Sequence, residues 1–188
     1  MVVWAVREED VGAETGALEC DALRAFDVWE GALDGAAAGD LGRRMERARA
    51  EAVGFLVRRQ SSDGSWTPLW FGNQEHPEKL NPLYGTSRVL RAAGVRVSGG
   101  SAVGWRTALE RGAAWLRSAQ GADGGFGGGP GQMPHVAPTY AAVSCLAEIA
   151  TDSAVRCVDR AKLRAFLVRC KDADGGGYRM HEGGETDT

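Results

Sequence analysis

Apolar residues recur at helical rather than strand spacing along most of this chain. From Leu41 to Arg59, Met45, Ala48, Ala52, Phe55 and Leu56 fall at helical intervals, and Arg43, Arg44, Arg47, Arg49 and Glu51 fill the other faces, with Asp40 placed as a cap. A second helix is predicted around Tyr84 to Ala93, ended by Gly94, and a third from about Ala102 to Ala119 with Leu109, Ala113 and Leu116 on its buried stripe. Pro138 suits the first turn of a fourth, whose stripe is Ala141, Ala142, Cys145, Leu146 and Ile149. Asp159 caps a fifth, Arg160 to Cys170, with Leu163, Phe166 and Leu167 inward. No segment alternates with the period of a strand. Residues 1–40 carry a thinner pattern (Leu18, Leu23, Phe26, Trp29, Leu33) and read as a weakly structured segment with one weak helix.

Three of these helical stretches run into the same kind of turn. Gln60-Ser-Ser-Asp63-Gly64-Ser65-Trp66, Gln120-Gly-Ala-Asp123-Gly124-Gly125-Phe126 and Lys171-Asp-Ala-Asp174-Gly175-Gly176-Gly177-Tyr178 each join Asp-Gly to an aromatic residue. Asp can hydrogen-bond the backbone that follows it and Gly can take positive φ, so the chain reverses at each site. Starting at 60, 120 and 171, the units are 60 and 51 residues apart, long enough for two helices and a turn. Helix pairs at this period bury their apolar faces against the next pair, so the fold class is all-α.

Composition narrows the function without naming it. The 188 residues are 44% hydrophobic and 25% charged, ordinary for a soluble globular protein, and a formal charge of -3 offers no basic footprint for nucleic acid. No stretch reaches the roughly 18 apolar residues of a membrane span, and the first ten residues lack the basic start and apolar core of a signal peptide. Cys20, Cys145, Cys157 and Cys170 are dispersed, as expected of free thiols in a reducing cytoplasm.

Candidate chemistry is sparse. The Gly-rich run from Gly124 to Gly131 lacks both a preceding strand and the Lys-Ser/Thr ending of a phosphate loop, and reads as a tight connection between helices. His76, His135 and His181 have no partners at metal-ligand spacing, so no zinc site is expected within the chain. Acidic clusters of the Asp-Asp-x-x-Asp or Asp-x-Asp-Asp kind are absent; Asp172 and Asp174 read as turn and capping residues. The turn aromatics, with Trp70, Phe71, Tyr84 and Tyr140, suit either a packed core or an apolar cavity whose ring faces could stabilise a cation.

The first turn resembles the Gln-Trp repeat of squalene and oxidosqualene cyclases, a repeat shared in weaker form by protein prenyltransferase beta subunits. Pro68-Leu-Trp-Phe-Gly-Asn-Gln74 and Asn81-Pro-Leu-Tyr84-Gly85-Thr86-Ser-Arg-Val-Leu90 resemble the C-terminal part of squalene-hopene-type cyclases. From about Trp115 the chain is closely similar to the protein farnesyltransferase beta subunit, through Gln132-Met-Pro-His135-Val-Ala-Pro-Thr-Tyr140 and then Tyr178-Arg-Met-His181-Glu-Gly-Gly-Glu185-Thr-Asp187. The resemblance implies a partial α/α toroid of helix hairpins, with 41–114 cyclase-like and 115–188 farnesyltransferase-like. About three to four helix pairs are present where a closed ring takes about six, which leaves an incomplete ring.

What the second resemblance implies is a fragment or fused form of a prenyltransferase beta subunit. The full form transfers farnesyl from farnesyl diphosphate to the cysteine of a Cys-a-a-X peptide, with zinc lowering the thiol pKa and an alpha subunit, or another copy, as partner. In that family the equivalents of His135 and Glu185 hold the peptide carboxylate through water, and the equivalent of Tyr140 borders the isoprenoid pocket, where Trp70, Phe71 and Tyr84 are also placed. The family's zinc ligands, and the Arg that follows the equivalent of Glu185, have no counterpart in this chain. Two other readings stand beside it: a squalene/hopene-type cyclase fragment, and a non-catalytic helical repeat that binds a partner along its open edge.

Overall fold

A computed structural model describes residues 23–25, 28, 37–68, 76–92, 101–149, 156, 158–173 and 175–187. Five helices follow one another: α1 (Ala37–Arg59), α2 (Pro82–Arg91), α3 (Ser101–Ser118), α4 (Val136–Ile149) and α5 (Arg160–Cys170). α1 packs on α3 and α2 on α4, while α3 also touches α2, so the helices alternate between two layers. This is the helix-hairpin arrangement that the repeat predicts, and no helix among the described residues is long and apolar enough to cross a membrane.

Local chemistry sets the helix ends, and in places it differs from the predicted ones. α1 begins at Ala37, so Asp40 lies inside its first turn, where its carboxylate meets Arg43 at 3.4 Å and the positive end of the helix dipole. α2 begins at Pro82 because Asn81 accepts the Tyr84 N–H (3.3 Å) and the Gly128 carbonyl takes the Leu83 N–H (3.2 Å); it ends at Arg91. Asp159 caps α5 as predicted, accepting the Lys162 N–H at 3.0 Å. A two-residue antiparallel ladder, β1 (Tyr178–Arg179) with β2 (Thr186–Asp187), falls where no strand was expected, since two residues are too few for a period to register.

The first two turns are built alike. Gln60 Nε2 donates to Gly64 O (2.9 Å) and Ala108 O (2.8 Å), and Gln120 Nε2 donates to Gly124 O (2.9 Å) and Asp159 O (3.1 Å). Each glutamine thus closes its own turn and fastens it to the next helix of its layer. Asp63 and Asp123 accept the N–H two residues on, and Gly64 and Gly124 take φ of +96° and +99°. Burial works to raise the Asp63 pKa, but hydrogen bonds from Ser65 N–H and Oγ, with one from Trp115, overcome it and hold the carboxylate below its ordinary value.

Each turn then sends its aromatic into a core of its own. Trp66 packs with Val53, Leu56, Val89, Trp105 and Leu23, the last being the one described residue of the thin N-terminal pattern, and its indole N–H donates to Leu56 O at 2.7 Å. Phe126 packs with Leu83, Leu90, Leu116, Cys145 and Leu146. The backbone N–H of Trp66 donates to Thr86 Oγ1 (3.0 Å) and that of Phe126 to Thr139 Oγ1 (2.9 Å). In the third turn Lys171 stands where the glutamines stood, and Tyr178 is 43% exposed.

Two buried faces depart from the predicted stripes. Arg49, assigned to a polar face, is 1% exposed and pairs with Glu46 at 2.7 Å. A buried guanidinium is tolerated only with such a partner. On α3 the buried positions are Trp105, Ala108, Gly112 and Leu116, with Leu109 partly buried against them. Cys145 and Cys170 are buried and unbridged, while Cys20 and Cys157 lie outside the described residues.

Candidate functional site

Between α2 and α4 lies a cavity of about 420 Å³, within the size range of small-molecule sites. α2 lines it with Tyr84, Ser87, Arg88 and Arg91, and α4 with Ala137, Tyr140, Ala141 and Ser144. These are equivalent positions. Thr86 and Thr139, which receive the aromatic N–H of their respective turns, are 53 residues apart, and the same offset carries 84, 87, 88 and 91 onto 137, 140, 141 and 144. Two consecutive repeats therefore turn the same face of their second helix toward one space. The Gly-rich connection closes one end with Gly128 and Gln132; it works as the tight link its composition suggested, Gly128 also tying down the start of α2.

His135 lies at the start of α4 and at the cavity wall. Its carbonyl accepts the Thr139 N–H at 3.1 Å, and its ring Nδ1 accepts the Ala137 N–H at 3.1 Å, so the imidazole caps the helix. That bond needs an unprotonated Nδ1 and leaves Nε2–H as the ring's donor. Burial first, and the neighbouring His181 second, hold its pKa below the ordinary 6.5. The two rings are 6.5 Å apart and inclined at 42°. Val136 N–H donates to Met180 O (2.8 Å) and Met180 N–H to Glu185 O (3.0 Å), which binds the β1–β2 hairpin to the start of α4.

The predicted site residues separate into three groups. Tyr84, His135 and Tyr140 come together at the cavity, with Tyr140 72% exposed. Glu185 is exposed on the hairpin and does not line the cavity; its carbonyl accepts the Met180 N–H, and Met180 O in turn takes the Val136 N–H next to His135. Trp70 and Phe71 lie outside the described residues. Sequence reasoning missed Ser87, Arg88 and Arg91. Their spacing from Tyr84 (i, i+3, i+4, i+7) is a helical stripe of polar residues, and it is the signal in the sequence that marks them. Among the described residues no three His, Cys, Asp or Glu side chains converge on a metal position, so those residues do not fit the zinc that the resemblance implies.

Residues 32–133, more than half of the chain, match the squalene-hopene cyclase C-terminal domain. The chain belongs to that family. Residues 104–188 match the prenyltransferase alpha-alpha toroid domain, so the two matches meet over α3 and the second turn of a single α/α-toroid chain. The protein farnesyltransferase subunit beta of Arabidopsis thaliana is 51% identical over 73 residues, 39% of this chain and 15% of that relative. The pea (Pisum sativum) subunit is 45% identical over 73 residues, 39% of this chain and 17% of its own length. Enfumafungin synthase efuA of Hormonema carpetanum is 33% identical over 84 residues, 45% of this chain and 6% of that relative. The chain thus spans about a sixth or less of these relatives. Over its second half the homology supports a fragment of a protein prenyltransferase beta subunit, and supports a cyclase fragment less strongly.

Proposed function

We propose that this toroid segment belongs to a protein farnesyltransferase beta subunit, and that its cavity holds part of the isoprenoid and of the Cys-a-a-X peptide during farnesyl transfer. In that reaction the cysteine sulfur forms a bond to C1 of the farnesyl group as the C1–oxygen bond breaks and diphosphate leaves. The observation that carries the reading is the meeting of Tyr84, His135 and Tyr140 at one cavity, since two of these lie in the farnesyltransferase-like stretch. The ring of Tyr140 and the Ala137 and Ala141 faces suit an isoprenoid chain, each buried CH₂ contributing about 0.8 kcal/mol. His135, capping through Nδ1, keeps Nε2–H to donate to a carboxylate or to a bridging water. In this reading Glu185 acts through water from the hairpin, and an alpha subunit supplies the rest of the peptide site.

Photolabelling with a benzophenone analogue of farnesyl diphosphate tests the placement. Label recovered on the α2 and α4 peptides, and competed by farnesyl diphosphate, is the expected result; label confined to other peptides would refute it. The match over residues 32–133 favours a second reading, a cyclase-type segment with Tyr84 at the cavity. Squalene would then displace the label while a Cys-a-a-X peptide would have no effect on it.

A further inference from the structure

The cavity wall is unevenly charged. Arg88 and Arg91, one turn apart on α2, both line it, and no Asp or Glu lines it among the described residues. Beside them Ser87 is 2% exposed, and its hydroxyl has no hydrogen-bond partner among the described residues. The facing wall on α4 is mostly apolar, through Ala137, Pro138 and Ala141. Two positive charges in a partly enclosed space raise the local concentration of anions, and low-dielectric walls strengthen the effect. A buried hydroxyl without a partner is an unmet donor, which a ligand oxygen would satisfy.

The geometry points to an anion subsite on α2, in which Arg88, Arg91 and the Ser87 hydroxyl receive the phosphate or carboxylate head of an amphiphile whose apolar chain lies along α4. This deepens the prenyl-binding reading and rests on it for the identity of the chain, but the charge pattern itself requires only an anionic head on an apolar tail. The competing role for arginines in the last turn of a helix is to complement its negative dipole end. That role would leave the binding of amphiphiles indifferent to the charge of their heads.

Binding is measured for two matched pairs, farnesyl diphosphate against farnesol and dodecyl phosphate against dodecanol. The wild-type chain binds the anionic member of each pair more tightly, and Arg88→Met with Arg91→Met removes about tenfold or more of that preference per arginine while leaving the alcohols unchanged. Arg88→Lys with Arg91→Lys retains most of it, which separates lost charge from a damaged fold. A third pair, a Cys-a-a-X peptide with free or amidated C-terminus, identifies the source of the head: an arginine-dependent preference for the free acid assigns it to peptide carboxylate, and its absence to phosphate. Equal affinity for dodecyl phosphate and dodecanol, or a preference that survives both Met changes, overturns the subsite. Arginine-dependent binding of dodecyl phosphate without binding of farnesyl diphosphate keeps the subsite and removes the prenyl reading; failure of every amphiphile removes both.

Discussion

Gly124 and Gly176 sit in successive Asp-Gly turns, both with positive φ (+99° and +73°), yet alanine at the two should cost very different amounts. At Gly176 an added Cβ meets nothing within 4 Å, so only backbone strain remains, about 1–2 kcal/mol. At Gly124 the same carbon would fall well inside van der Waals contact of the Lys162 carbonyl in the first turn of α5. Either the turn opens or α5 retreats. Both movements break the Gln120 bonds to Asp159 (2.8 and 3.1 Å) and lift Phe166 from Gly125. Two lost hydrogen bonds at about 0.5–1.5 kcal/mol each, added to the strain, give about 2–5 kcal/mol for Gly124→Ala. Against a typical domain stability of about 5–15 kcal/mol that is a large share. Urea titration followed by tryptophan fluorescence reads both variants. Equal losses for Gly124→Ala and Gly176→Ala would refute the close approach of α5, since the strain is common to both.

Trp66→Phe should lower stability by about 1–3 kcal/mol, because it leaves the buried Leu56 carbonyl without its 2.7 Å donor; an unchanged urea midpoint would rule that bond out as a support. His135, with its native pKa below 6.5, stabilises the fold as a neutral ring: the contribution is complete above the unfolded value and is lost as pH falls through 6.5 toward the native value, because the unfolded chain takes up the proton first. Urea midpoints between about pH 7.5 and about pH 5 should therefore fall less steeply for His135→Asn than for the wild type, and parallel curves would contradict the depressed pKa.

What could be read from the sequence was what local chemistry decides. The Asp-Gly turns are closed within five residues, by Asp63 on Ser65 and Asp123 on Gly125, so their sequence alone carries them. The Asp159 cap is equally local. Helix starts set from a distance were misplaced: Pro82 begins α2 partly because Gly128, 46 residues on, takes the Leu83 N–H. Thr86 and Thr139 went unnoticed because the aromatics they anchor lie 20 and 13 residues away. Arg49 falls on the same helical face as Met45, Val53 and Leu56; its charge, not its period, marked it as solvated, and the Glu46 carboxylate is what lets it be buried. At the site, Tyr84, His135 and Tyr140 were found through resemblance, whereas Ser87, Arg88 and Arg91 become visible as a unit once α4 is seen to face them.

The 53-residue equivalence across the cavity separates two kinds of information in the chain. Glutamine, aspartate, glycine, aromatic and threonine form a grammar that repeats with little change and holds the hairpins together. The four cavity-facing positions of each second helix form a short word, Tyr-Ser-Arg-Arg in one repeat and Ala-Tyr-Ala-Ser in the next. Because the grammar sits in the turns and at Thr86 and Thr139, away from the cavity-facing positions, a lineage can rewrite the word for a new ligand while leaving the frame intact. Squalene-hopene cyclase and prenyltransferase domains can then be two vocabularies spoken by a single scaffold.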